Sequence, residues 1–201
     1  MLTLFAVVAA VELIAVALGR TALQWVAKPL LAPVLAVYLV RRQRPDLVLA
    51  ALAFATAGDV ALLIDAEVAL LVGMGFFLGT QICLTIAFAR YARPRTSALV
   101  AYALVWAVAN ALLRGPLGDL ALPVLVYSLA LSAMAATAAG VSRRTAAGGA
   151  LFLVSDFLIG LGAAGIELPG QDVLVMATYS AALFLIVTGW VGRTTVRTRT
   201  F

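Results

Sequence analysis

Histidine is absent from this 201-residue chain, cysteine occurs once, and only 11% of residues are charged. Without imidazole there is no histidine general base and no histidine metal ligand, and a single Cys83 cannot complete a zinc site, a haem attachment or an intramolecular disulfide. The shortage of charge excludes more. Soluble domains carry about 25% charged residues and about 45–50% apolar ones, whereas 65% of this chain is apolar. A sphere of this size cannot hide that much apolar surface, so the solvent for most side chains is lipid. The formal net charge of +5 does not point to nucleic acid, because nearly all the arginines stand in short breaks between apolar runs.

Those runs predict an all-α, polytopic integral membrane protein, a bundle of eight transmembrane helices. The predicted spans are 2–18, 22–40, 46–64, 68–89, 97–113, 120–140, 146–164 and 172–191, each near the roughly 20 residues that a ~30 Å hydrocarbon core requires. The first span lacks a basic leader and carries Glu12, which reads as a membrane helix and not as a cleaved signal. Residues 1–192 form the transmembrane domain and 193–201 a short basic tail.

Charge orients the spans. The breaks after the even-numbered helices hold Arg41, Arg42, Arg44, Arg90, Arg93, Arg95, Arg143, Arg144, Arg193, Arg197 and Arg199. The breaks after the odd-numbered helices hold only Arg20 and Arg114 and collect Asp65, Glu67, Asp119, Glu167 and Asp172. Cytoplasmic loops concentrate arginine, so both termini are expected on the cytoplasmic side of a bacterial inner membrane. Pro33-Val-Leu with Tyr38 is echoed by Pro123-Val-Leu with Tyr127, and Gly58-Asp59 by Ser155-Asp156, a pattern compatible with two parallel four-helix halves.

Four ionisable residues fall inside spans: Glu12, Lys28, Asp59 and Asp156. Each costs at least ~2.5 kcal/mol at a helix centre on the insertion scale, and such residues usually face a bundle interior or a wet cavity. All four lie at similar depth in the outer half of the membrane, roughly 8–12 Å from the surface at ~1.5 Å per residue. Asn110, Tyr127 and Tyr179 fall in the same half and Gln81 somewhat deeper. One outward-opening cavity is the expectation. The bland alternative is interhelical glue, with Lys28 paired to Asp59 or Asp156, but three acids for one base exceed that need. Gly160-Leu-Gly162-Ala-Ala-Gly165 follows no strand and is not a dinucleotide loop. Gly75-Phe-Phe-Leu-Gly79 permits close helix packing. Trp25 and Trp190 read as interfacial belt residues; Trp106 either faces lipid or lines a pocket.

Trp25-Val-Ala-Lys28-Pro29, Ala57-Gly58-Asp59-Val-Ala-Leu-Leu63, Gly75-Phe-Phe-Leu, Pro123-Val-Leu-Val-Tyr127, Gly149-Ala-Leu-Phe-Leu-Val-Ser155-Asp156 and Ala177-Thr178-Tyr179, in that order, resemble the YhhN-like family of membrane lysoplasmalogenases. The chain departs from the family pattern at Gln81 and Leu84, where relatives often carry His and Tyr, and at Ser180. The resemblance implies an ether hydrolase that cleaves the vinyl ether bond of a lysoplasmalogen into a fatty aldehyde and glycerophosphocholine or glycerophosphoethanolamine. It needs a protonated acid, a stabilising negative charge and a positioned water. Asp59 and Asp156 are the candidate catalytic pair, their acid and base roles open. Lys28, Glu12, Asn110, Tyr127, Tyr179 and Gln81 are candidate substrate-binding residues. Lys28 holds one carboxylate charged or meets the lipid phosphate, and Glu12 faces a choline or ethanolamine cation. The implied partners are a lysophospholipid substrate and membrane lipid; no cofactor or metal is called for. Intramembrane acids and proline-interrupted helices also suit a small proton-coupled transporter or lipid flippase.

Overall fold

The computed structural model describes residues 1–64, 66 and 68–197, the last four as backbone. Asp65, Glu67, Arg199 and the Arg197 side chain, counted above in the charge pattern, lie outside that description. Among the described residues the chain is all helical: α1 (Leu2–Ala17), α2 (Thr21–Val40), α3 (Leu47–Ala61), α4 (Ala69–Tyr91), α5 (Thr96–Leu117), a 3-10 turn (Gly118–Leu120), α6 (Ala121–Val141), α7 (Arg143–Ala163) and α8 (Gln171–Arg197). The ends follow local chemistry. Gly19, at φ 62°, lets the chain turn back after α1 in a backbone region open mainly to glycine. Asp46 caps α3 by accepting from the Val48 N–H at 3.0 Å, and Ser142 caps α7 by accepting from the Thr145 N–H at 3.1 Å, each meeting a donor the helix leaves unpaired.

Five stretches are long and apolar enough to cross a membrane: Thr21–Val40, Ala69–Tyr91, Thr96–Val141, Arg143–Ala163 and Gln171–Arg193. The third covers α5 and α6 with their connecting turn. α1 and α3 are shorter than drawn from sequence, with 16 and 15 residues, about 24 and 23 Å at ~1.5 Å per residue. α7 begins early enough to place Arg143 and Arg144 in its first turn, and α8 runs on through Arg193.

Packing follows the logic of helices in lipid, where association depends on close approach and not on hiding apolar bulk. Small residues fill the interior: Ala15, Ala27, Ala32, Ala51, Ala55, Ala135 and Ala182 are buried. Many large apolar residues face out: Leu112, Leu122 and Leu18 are 71%, 68% and 66% exposed. That arrangement, with the apolar helices, marks a membrane protein. α8 is the most enclosed long helix and packs on α1, α2, α6 and α7, while α4 packs on α3 and α6. α5 rests mainly on α6 and the turn between them.

Candidate functional site

The interior polar residues come from helices that converge on α8. Glu12 on α1, Asp59 on α3 and Gln81 on α4 are fully buried or nearly so, and Tyr179 on α8 is buried as well. Asp59 Oδ2 accepts a hydrogen bond from the Tyr179 hydroxyl at 2.7 Å, joining α3 to α8. Asp156 Oδ2 accepts one from the Tyr127 hydroxyl, joining α7 to α6. The two pairs lie within electrostatic range of each other, as do Lys28, Glu12 and Asp59. Gln81 sits beside the Tyr127 hydroxyl, yet neither of its amide atoms completes a hydrogen bond; the same is true of Asp59 Oδ1 and both Glu12 oxygens.

Aromatic packing fixes the Asp59–Tyr179 pair. The Tyr179 ring meets Phe77 of α4 at 5.8 Å and 90° and Phe152 of α7 at 5.6 Å and 87°, and the two phenylalanines meet each other at 6.1 Å. These are edge-to-face contacts of the favoured kind. Gly58 is what lets Phe77 in: a Cβ at Gly58 would stand 2.8 Å from the Phe77 ring. The residue before the aspartate therefore sets how close α4 comes. Ser155, before the other aspartate, donates to the Val175 carbonyl at 3.0 Å and ties α7 to α8.

A cleft open to the surroundings lies between α4, α5, α6 and α7. Its walls are mostly apolar, including Met74, Phe77, Leu113, Leu131 and Leu153, with Asp156, Tyr127, Asn110 and Ser128 as polar points. Asn110 donates to Ser128 Oγ at 3.1 Å, and Trp106, also lining the cleft, donates its indole N–H to the Leu125 carbonyl at 3.3 Å.

The cleft takes only part of the group of residues expected to share one cavity. The cleft takes Asp156, Tyr127 and Asn110; Glu12, Lys28, Asp59, Gln81 and Tyr179 are not in its lining. Equal depth says nothing about direction around a helix axis; the two groups nevertheless stay within electrostatic range, and Gln81 stands beside Tyr127. Lys28 is half-buried and, among the described residues, makes no ion pair within 4 Å; the pair found is Arg193 with Asp46, at 3.7 Å. Trp190 is no belt residue. It is buried, packs on Phe88 and Tyr91, and donates its N–H to Asp46 Oδ2 at 2.7 Å. Phe77 and Phe152 were missed as site residues although both lie in the motifs quoted above.

No curated protein and no solved structure gives a significant match to the chain. A family model described as the YhhN family matches residues 23–190, which is most of the chain, and the protein belongs to the YhhN family.

Proposed function

We propose that the protein is a membrane lysoplasmalogenase-like ether hydrolase that cleaves the vinyl ether bond of lysoplasmenylcholine or lysoplasmenylethanolamine. The observation that carries this reading is the pair of tyrosine-bound carboxyls, Asp59–Tyr179 and Asp156–Tyr127, one of which opens on an apolar cleft between helices. The cleft suits a hydrocarbon chain entering sideways from the bilayer, since it is concave, mostly apolar and edged by a few polar groups. Asn110 and Ser128 suit the glycerol oxygens.

In this reading Asp156, the carboxyl on the cleft wall, gives its proton to the β-carbon of the vinyl ether. The C=C pair forms the new C–H bond and leaves an oxocarbenium ion, which the remaining carboxylate stabilises. Water adds to the cationic carbon, and Asp59 takes the proton that water releases through the adjoining polar groups. The hemiacetal then gives its hydroxyl proton to the ionised Asp156 as its C–O bond breaks, and the proton held at Asp59 passes to the departing glycerol oxygen, which yields the fatty aldehyde and the glycerol hydroxyl and resets both carboxyls. The balance is one water consumed, with no redox partner. Tyr127 and Tyr179 hold the carboxyls in position, and Lys28 supplies positive charge near Glu12 and Asp59.

The same proposal has all eight helices crossing a bacterial inner membrane, α1 and α3 included, with both termini cytoplasmic. Two parallel halves, α1–α4 and α5–α8, fit the neighbour pattern: first on second, second on third and third on fourth in each, with α8 on α2 answering α4 on α6. Asp59 and Asp156 then occupy the third helix of each half.

Incubating detergent-purified protein with lysoplasmenylcholine tests the reading. Wild type is expected to release aldehyde, and Asp59→Asn and Asp156→Asn each to lose at least ~10²-fold, the lower range for a positioned acid or base. Near-full activity in both variants would sink the assignment; lipid movement between leaflets without aldehyde would favour the flippase reading.

A further inference from the structure

Hydrolysis inside a bilayer needs a route for water that the lipid chain does not share. The cleft between α4 and α7 is walled mostly by apolar side chains. The interior outside the cleft lining differs in kind. There Glu12 is fully buried with both carboxyl oxygens lacking a hydrogen-bond partner, and Asp59, 1% exposed, has Oδ1 in the same condition. Lys28 lies within electrostatic range of both and is half-buried on α2, so part of it meets the surroundings. The helices that carry these groups pack in order, α1 on α2 and α2 on α3, with α8 against α1 and α2 and bonded to Asp59 through Tyr179.

Buried polar atoms in folded proteins are almost always hydrogen-bonded, to protein or to ordered water, and buried waters collect where two or more such atoms converge. Three carboxyl oxygens without protein partners, on two helices and facing one lysine, meet that condition. A bound cation is the other chemistry that carboxyl oxygens attract. Lys28 already supplies a positive charge at this place, which disfavours a second.

We propose that Glu12, Lys28 and Asp59 enclose a hydrated compartment, distinct from the lipid cleft, that admits water past Lys28 and delivers it to the carboxyl pair. Lipid and water then reach the reaction by separate routes. Glu12 is a positioning residue that holds water and does not touch substrate. The compartment itself follows from the buried oxygens; its role as the source of hydrolytic water rests on the hydrolase reading.

Hydroxyl-radical footprinting by X-ray pulse, on the full chain in lipid nanodiscs, reads bound water directly, because radicals born in a buried site oxidise the side chains beside it. Tyr179 is expected to be oxidised in wild type despite its burial. Glu12→Leu is expected to take that labelling down to background, and Glu12→Gln, which keeps hydrogen-bonding atoms of the same size, to restore it. Melting temperature and gel-filtration profile check that each variant is folded. In turnover with lysoplasmenylcholine, Glu12→Leu is expected to lower kcat and leave KM unchanged. Unlabelled Tyr179 in a wild type that releases aldehyde would overturn the compartment and leave the hydrolase standing. Labelled Tyr179, lost in Glu12→Leu, without aldehyde from wild type would keep the compartment and overturn the hydrolase. Labelling that disappears when sodium replaces choline as the buffer cation would overturn the water assignment in favour of an ion site.

Discussion

Replacing Tyr179 by Phe removes one oxygen and leaves the ring among Phe77 and Phe152, at 5.8 and 5.6 Å. The loss is therefore confined to the hydrogen bond donated at 2.7 Å to Asp59. Interhelical hydrogen bonds in membranes average about 0.6 kcal/mol and reach ~1.7. Stranding a buried acceptor costs more, about 1–3 kcal/mol. Asp59 is 1% exposed and its other oxygen has no protein partner, so no protein group replaces the lost hydroxyl and the higher range applies. For a chain of this size a kcal/mol moves the melting temperature by about 2–4 °C, which gives a fall of roughly 2–12 °C. Thermal melting of the detergent-solubilised protein, followed by loss of the monodisperse gel-filtration peak, reads it. A double-mutant cycle isolates the pair: in an Asp59→Leu background nothing remains for the tyrosine to satisfy, and Tyr179→Phe is expected to be nearly neutral. Equal cost in the two backgrounds would refute the argument, since the hydroxyl would then be acting on something other than Asp59.

Three further outcomes follow from the packing. Gly58→Val places carbon where the Phe77 ring stands 2.8 Å away; overpacking of this kind costs about 1–3 kcal/mol, and melting and aldehyde release should fall together. Ala109→Trp fills the cleft wall and should raise KM for lysolipids more than it lowers kcat, measured by varying substrate in mixed micelles. Asp46→Ala removes the α3 cap and the acceptor for Trp190 and Gln43, a loss of roughly 2–4 kcal/mol from cap and stranded donors. It should lower the melting temperature while turnover per folded molecule stays at the wild-type value.

Charge was the most readable feature of the sequence. Intramembrane Asp59, Asp156, Glu12 and Lys28 stand out because so few charges exist, and the structure does bring them within electrostatic range. What composition and depth do not carry is azimuth. Tyr179 stands 120 residues from Asp59, and nothing local to either says that α3 turns that face to α8. Lys28, for which an ion pair with Asp59 or Asp156 was the bland alternative, makes none within 4 Å among the described residues and is half-buried. Trp190 matched the belt rule by its place near a span end, yet Asp46 at the start of α3 needed donors, and the indole N–H meets it. The helix limits erred most at α8, drawn to 191 but running to Arg197, and at α5, drawn to 113 but running to Leu117, while α3 ends at Ala61 although its apolar run continues to Ile64.

The central claim is protonation of a vinyl ether carbon inside the membrane, and heavy water tests it most directly. Protein exchanged into D2O and given lysoplasmenylcholine is predicted to release a fatty aldehyde bearing a single deuterium on the carbon next to the carbonyl, detected by mass spectrometry after trapping. Asp156→Asn is predicted to abolish the product. Aldehyde without that deuterium would contradict the mechanism, and no aldehyde from folded wild type would contradict the function.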